Sequence, residues 1–178
     1  MRGELDFSAA LKERVGLLAG LDAKVLDELY DRVTLMPGAK TLIRTMKANG
    51  ATCVLVSGGF TYFTQRIAAR LDFDAQQANT LEMDGGKLAG TVALPILGRE
   101  AKLSALQRLT TDLGLRPAQT MAVGDGANDL AMIKAAGLGV AFRAKPIVAA
   151  EAAACIQHGD LTALLYLQGY ERSELVTG

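Results

Sequence analysis

Apolar residues recur at threes and fours from Phe7 to about Ala19, with Phe7, Leu11, Val15 and Leu18 on one face. That spacing predicts an amphipathic helix. A second helix is predicted over 23–32, led by Asp22 as an N-cap, and a third over 39–49, closed by Gly50. The run Thr52-Cys53-Val54-Leu55-Val56 has no polar alternation, which predicts a strand buried on both faces. Ser57-Gly58-Gly59 follows as a turn, and a helical pattern resumes over 60–71. Residues 78–96 break the rhythm and read as a β-hairpin around Asp84-Gly85-Gly86. Helices are then expected over 102–113, 129–136, 146–153 and 160–167, alternating with short apolar strands over 121–123, 139–142 and 154–156. Strands separated by helices imply parallel βαβ units, hence an α/β fold with a doubly wound sheet. Beyond Gly169 the tail is expected to fray.

Composition narrows the picture. A chain of 178 residues suits one domain with a small appendage. Lys plus Arg and Asp plus Glu both number 19, so no charge excess points to nucleic acid or an anionic membrane as a partner. Cys53 and Cys155 each lie in an apolar run, which predicts two buried thiols rather than a disulfide or a metal site. No opening signal-peptide pattern and no membrane-length apolar run occur, so a cytoplasmic location is expected.

The candidate chemistry centres on Gly124-Asp125-Gly126-Ala127-Asn128-Asp129-Leu130-Ala131-Met132. Two carboxylates and an amide fall in a glycine-rich turn between a strand and a helix. Asp125 and Asp129 are suited to a hard divalent cation such as Mg²⁺, which takes oxygen ligands and often a substrate phosphate. Asp, Asn and Gly also fill ordinary turns. In an open parallel sheet ligands bind at the carboxyl ends of strands, so the Ser57-Gly58-Gly59 turn should face the same edge. There the Ser57 hydroxyl and the amides of Gly58 and Gly59, read as opening a helix, would seat a phosphate. Lys102 stands at a helix start, where a cation is disfavoured unless an anion lies nearby. A solvated surface lysine fits as well, and Arg99 competes for the role.

These segments carry a resemblance. VLVSGGF at 54–60, EAKLSAL at 100–106 and VGDGANDLAMIKAAGLGVAF at 123–142 are similar to motifs two, three and four of the haloacid dehalogenase superfamily. Within it the chain resembles the phosphoserine phosphatases. RGELDFSAALKERVGLLAGL at 2–21 is similar to their helical cap, and MPGAKTLIRTMKANG at 36–50 to the entry of their core. AKPIVAAEA at 144–152 also matches. The resemblance implies a Rossmann-like parallel sheet with a partial helical cap at 1–34, a core at 35–170 and a tail at 171–178. It implies Mg²⁺-dependent hydrolysis of L-phosphoserine, a small phosphomonoester, in the last step of serine biosynthesis. Ser57 and Gly58 would bind the phosphoryl group, and Lys102 would neutralise its charge. Asp125 would ligate Mg²⁺, while Asp129, as ligand or support, and Asn128 would hold the surrounding network. Arg14 would bind the substrate carboxylate, with Met1 and Phe7 lining the pocket. From the residues alone, Arg14 reads as part of a solvated helix face.

One part of the family pattern is missing. The phosphatases attack phosphorus with the first aspartate of a DxDx[TV] motif, which ends the central strand of their sheet, and no such motif occurs here. Asp6, in Leu5-Asp6-Phe7-Ser8, lacks the second aspartate. The expectation is a chain that starts downstream of this motif, is inactive alone, and self-associates through two exposed strand edges. Two other classes remain open. One is a non-catalytic module binding a phosphorylated ligand or a partner protein. The other is a receiver-like or nucleotide-binding α/β domain, although neither G-x-G-x-x-G nor a P-loop occurs.

Overall fold

Helices and parallel strands alternate along the computed structural model, which describes residues 2–177 and side chains from Phe7 onward. Two units divide the chain: Met1–Gly98 with Asp160–Gly178, and Arg99–Gly159. In the first unit, helices α1 (Arg2–Gly16), α2 (Val25–Asp31) and α3 (Ala39–Ala48) precede β1 (Val54–Phe60) and α4 (Thr61–Leu71). Next come β2 (Ala75–Asn79), β3 (Leu81–Asp84) and β4 (Lys87–Val92). The second unit holds α5 (Glu100–Asp112), β5 (Met121–Gly124), α6 (Leu130–Ala135), β6 (Leu138–Phe142), α7 (Pro146–Ala149) and β7 (Ala154–Ile156). Helix α8 (Ala163–Tyr166) returns to the first unit. The α/β class expected from the alternation holds. Among the described residues no helix is long and apolar enough to cross a membrane.

In the first unit β1 and β2 pair in parallel, and β3 and β4 form an antiparallel hairpin. Asp84 pairs Lys87 across Gly85-Gly86, both at positive φ (54° and 81°), as a primed two-residue turn requires. The hairpin's inward residues Leu81, Leu88 and Val92 pack with Val15 of α1 and Leu26 of α2. Helix α2 is also clasped to α4. The Tyr62 hydroxyl donates to Asp27, and the Arg66 guanidinium lies 3.7 Å from the Tyr62 ring centroid and 3.6 Å from the Asp27 carboxylate. In the second unit β5, β6 and β7 pair in parallel without register shifts, and β6 is almost wholly buried.

Several expectations need correction. Strand β1 is half-buried throughout rather than fully buried, because it has one ladder partner, β2, among the described strands. It also extends through Ser57-Gly58-Gly59 to Phe60, so the helix begins at Thr61 and those glycine amides do not open it. The described residues of the tail beyond Gly169 are docked rather than frayed. Arg172–Glu174 form a 3₁₀ turn, and the Val176 N–H donates to the Thr45 hydroxyl (2.9 Å), a fully buried group on α3.

The cysteines differ as well. Cys53 is 9% exposed, whereas Cys155 lies on β7, the last strand of its sheet, with its side chain outward. Burial, reinforced by the Asp74 charge, pushes the Cys53 thiol up to about 11 from 9.0. A disulfide-exchange reagent at pH 8 is therefore expected to label one thiol in the native protein and the second only after denaturation. Because the folded thiol stays neutral where the unfolded one ionises, its contribution to stability is intact below about pH 9. That contribution is lost as pH rises toward 11. Equal labelling of both cysteines in the native state would contradict this burial.

Candidate functional site

In the second unit the candidate residues gather around one carboxylate. Asp129, at the entry to α6, is 1% exposed. Its Oδ2 accepts the N–H of Asp125 (3.1 Å) and of Gly126 (3.0 Å), while Oδ1 accepts the ammonium of Lys102. A carboxylate drawing two backbone amides toward itself fixes the path of the loop after β5. Gly124 is needed for this, because a Cβ there would collide with the Asp129 side chain, whereas one on Gly126 would meet chiefly the movable Oδ1 of the exposed Asn128 side chain. The Lys145 N–H donates to the Asp125 carbonyl (3.2 Å), tying the loop to the segment after β6. The loop thus stands at the carboxyl edge of β5 and β6, as expected for a parallel sheet.

Lys102 occupies the first turn of α5, and its side chain is 17% exposed. The helix dipole would disfavour a cation there, but the buried Asp129 carboxylate offsets that. An ammonium has three donors, so one bond to Asp129 leaves two for another anion. Arg99, the competing candidate, is exposed and makes no ion pair among the described residues. The Asp125 carboxylate is exposed and, among the described residues, takes no hydrogen bond or ion pair. An uncommitted oxygen donor beside a fixed loop fits a hard, oxygen-preferring cation. Asn128 is exposed on the same loop.

In the first unit the candidate residue is Ser57. The Gly59 N–H donates to the Ser57 Oγ at 3.0 Å, and among the described residues the hydroxyl itself donates to no acceptor. Phe7 of α1 stands beside Gly58 and Gly98. A Cβ built on Gly58 or on Gly98 would lie 3.9 Å from the Phe7 ring, so the ring covers both glycines. Arg14 sits exposed in the last turn of α1 without an ion-pair partner among the described residues. Met1, expected to line the pocket, lies outside the described residues. One residue of this neighbourhood carries no signal in the sequence: Asn79, 2% exposed at the end of β2, whose amide bonds Gly58 and Leu97. It lies in the polar run Gln76-Gln77-Ala78-Asn79, which shows no strand alternation.

A model of the haloacid dehalogenase-like hydrolases matches residues 1–134. A phosphoserine phosphatase of Streptomyces coelicolor is 50% identical over 175 residues, covering 98% of this chain and 43% of that protein. One from Idiomarina loihiensis is 43% identical, covering 93% of this chain and 75% of that protein. This chain therefore spans less than half of the Streptomyces protein, and likewise 43% of its Mycobacterium tuberculosis counterpart. Among solved structures, a probable phosphoserine phosphatase from Vibrio cholerae matches with a TM-score of 0.90 at 38% identity. That match covers 95% of this chain and 52% of the other. A substrate-bound phosphoserine phosphatase complex matches with a TM-score of 0.86 at 38% identity, over 94% of this chain and 80% of that one.

Proposed function

This chain belongs to the haloacid dehalogenase-like hydrolases, and we propose on that basis that it serves the hydrolysis of L-phosphoserine to serine and phosphate. The observation that carries the reading is the buried Lys102–Asp129 pair, which holds the Asp125 loop and leaves two ammonium donors for an anion. Ser57 donates its unused hydroxyl hydrogen to a phosphoryl oxygen, and Lys102 neutralises charge on the transferring group. Asp125 is the residue to hold Mg²⁺, with Asp129 shaping the loop rather than ligating, since both its oxygens are engaged. The cation would neutralise phosphoryl charge when bound. Arg14 faces the substrate carboxylate, Asn128 supports the phosphate, and Phe7 covers the apolar side. Nucleophilic attack on phosphorus requires a carboxylate from outside these 178 residues, which contain no DxDx[TV] segment.

Inorganic phosphate titrated into the 178-residue chain with and without Mg²⁺ tests this reading. Ser57→Ala removes one hydrogen bond to a charged ligand, a loss of about 1.5 kcal/mol or roughly tenfold in Kd. Asp125→Asn is expected to abolish the Mg²⁺ enhancement while leaving metal-free phosphate binding intact. Phosphate affinity indifferent to both substitutions would end the proposal.

A further inference from the structure

The pairing of β1 with β2 slips where Ser57 lies. Val56 pairs with Gln77 and Phe60 with Asn79, so four steps on β1 oppose two on β2. Such a bulge leaves main-chain groups without ladder partners. One of them, the Gly58 carbonyl, instead accepts from Asn79 Nδ2 at 3.1 Å. The same amide is anchored at its other end. Asn79 Oδ1 accepts the Leu97 N–H at 2.7 Å, and Nδ2 also reaches the Leu97 carbonyl at 3.4 Å. With 2% exposure, Asn79 has both its side-chain polar atoms committed inside the protein.

The consequence for Ser57 follows from peptide planarity. The Gly58 carbonyl and the Gly59 N–H belong to one planar trans unit and point in opposite directions. Holding the carbonyl toward Asn79 therefore turns the Gly59 N–H away from it, onto the Ser57 Oγ at 3.0 Å. A hydroxyl oxygen that accepts on one side directs its own hydrogen elsewhere.

We propose that Asn79 is a positioning residue for Ser57: by gripping the Gly58 carbonyl, it orients the Gly58–Gly59 peptide so that the Ser57 hydroxyl is presented as a donor to an anion. The inference rests on the phosphate-binding reading above. Asn79 touches no ligand in this scheme and acts through Gly58, Gly59 and Ser57.

The test uses the full 178-residue chain, ¹⁵N-labelled, with inorganic phosphate as the probe and Asn79→Leu as the variant. Leucine has the shape of asparagine and no charge, so a loss of phosphate affinity is not repulsion. Exchange of the Gly59 amide is expected to rise at least tenfold in Asn79→Leu, while amides of the 81–92 hairpin stay protected. Phosphate affinity is expected to fall about tenfold in Asn79→Leu and in Ser57→Ala, and no further in the double variant. Equal losses that multiply in the double variant would mean a merely structural role and overturn the proposal. Should Asn79→Leu not fold, the wild-type protein decides. Slowly exchanging Asn79 side-chain protons together with a protected Gly59 amide support the grip, and rapid exchange at both overturns it. If wild-type protein fails to bind phosphate, the phosphate-binding reading falls, and Gly59 exchange in Asn79→Leu alone decides the positioning claim.

Discussion

Replacing Lys102 by methionine is expected to cost about 3 kcal/mol of stability and to weaken phosphate binding roughly 30-fold. The two losses have different origins. Asp129 has a side chain only 2% exposed and shares its charge among Lys102 and two backbone amides. Methionine fills much of the lysine volume but removes the counter-charge, leaving a buried carboxylate with amide partners alone. Breaking a buried pair from one side typically costs 3–5 kcal/mol, far more than losing a solvated surface pair. The affinity loss is expected from removing the ammonium that, under the proposed function, would face the anion. Lys102→Met combined with Asp129→Asn separates the two. Neutralising the buried carboxylate should restore about 1–2 kcal/mol of stability and none of the phosphate affinity. Arg99→Ala serves as the control and should move stability by less than about 0.5 kcal/mol, because Arg99 is exposed. Urea denaturation and phosphate titration measure both quantities. A stability loss below about 1 kcal/mol for Lys102→Met would mean that the pair behaves as a surface contact.

The second unit was the more legible half of the chain. Its strands are short apolar runs that end in turns, and the structure places them over 121–124, 138–142 and 154–156. Burial on both faces explains why alternation is absent in β6, whereas β5 and β7 are only partly covered and stood out by their apolar composition. The choice between Lys102 and Arg99 was not legible, because it depends on a carboxylate 27 residues downstream. Strand β2 escaped detection for the opposite reason. It is a short partner to a half-buried β1 and carries Ala75-Gln76-Gln77-Ala78-Asn79, with no apolar face to betray it. The Ser57-Gly58-Gly59 segment could be read as a turn because glycine suits either state, and the pairing of Phe60 with Asn79 beyond the slip in register continues the strand through it. The docked tail had no local signal either, since Val176 finds Thr45 at a separation of 131 residues.

Under the proposed function, the chain of 178 residues is expected to release no phosphate from L-phosphoserine by itself. A synthetic peptide carrying Asp-x-Asp-x-Thr flanked by apolar residues is expected to switch turnover on. The expected contrast is about 10⁴-fold or more, the scale on which enzymes lose rate when the nucleophile is removed. Two physical features favour complementation. Strand β1 pairs only with β2, and β5 only with β6, among the described strands, so each offers main-chain donors and acceptors along one edge. An extended apolar segment can satisfy such an edge by adding as a further strand. On the proposed reading Ser57, Lys102, Asp125 and Asp129 would supply charge neutralisation and positioning but no uncommitted nucleophilic carboxylate beyond Asp125, which the cation would occupy. A peptide with its first aspartate changed to asparagine should bind and remain silent, which separates chemistry from mere stabilisation of the fold. Hydrolysis by the chain without peptide would place the nucleophile within these residues and overturn the division of labour proposed here. Phosphate binding with no turnover under any peptide would instead make the chain a phosphate-binding module, because a charged, ordered anion seat that never meets a carboxylate on phosphorus can hold a phosphoryl group but cannot transfer it.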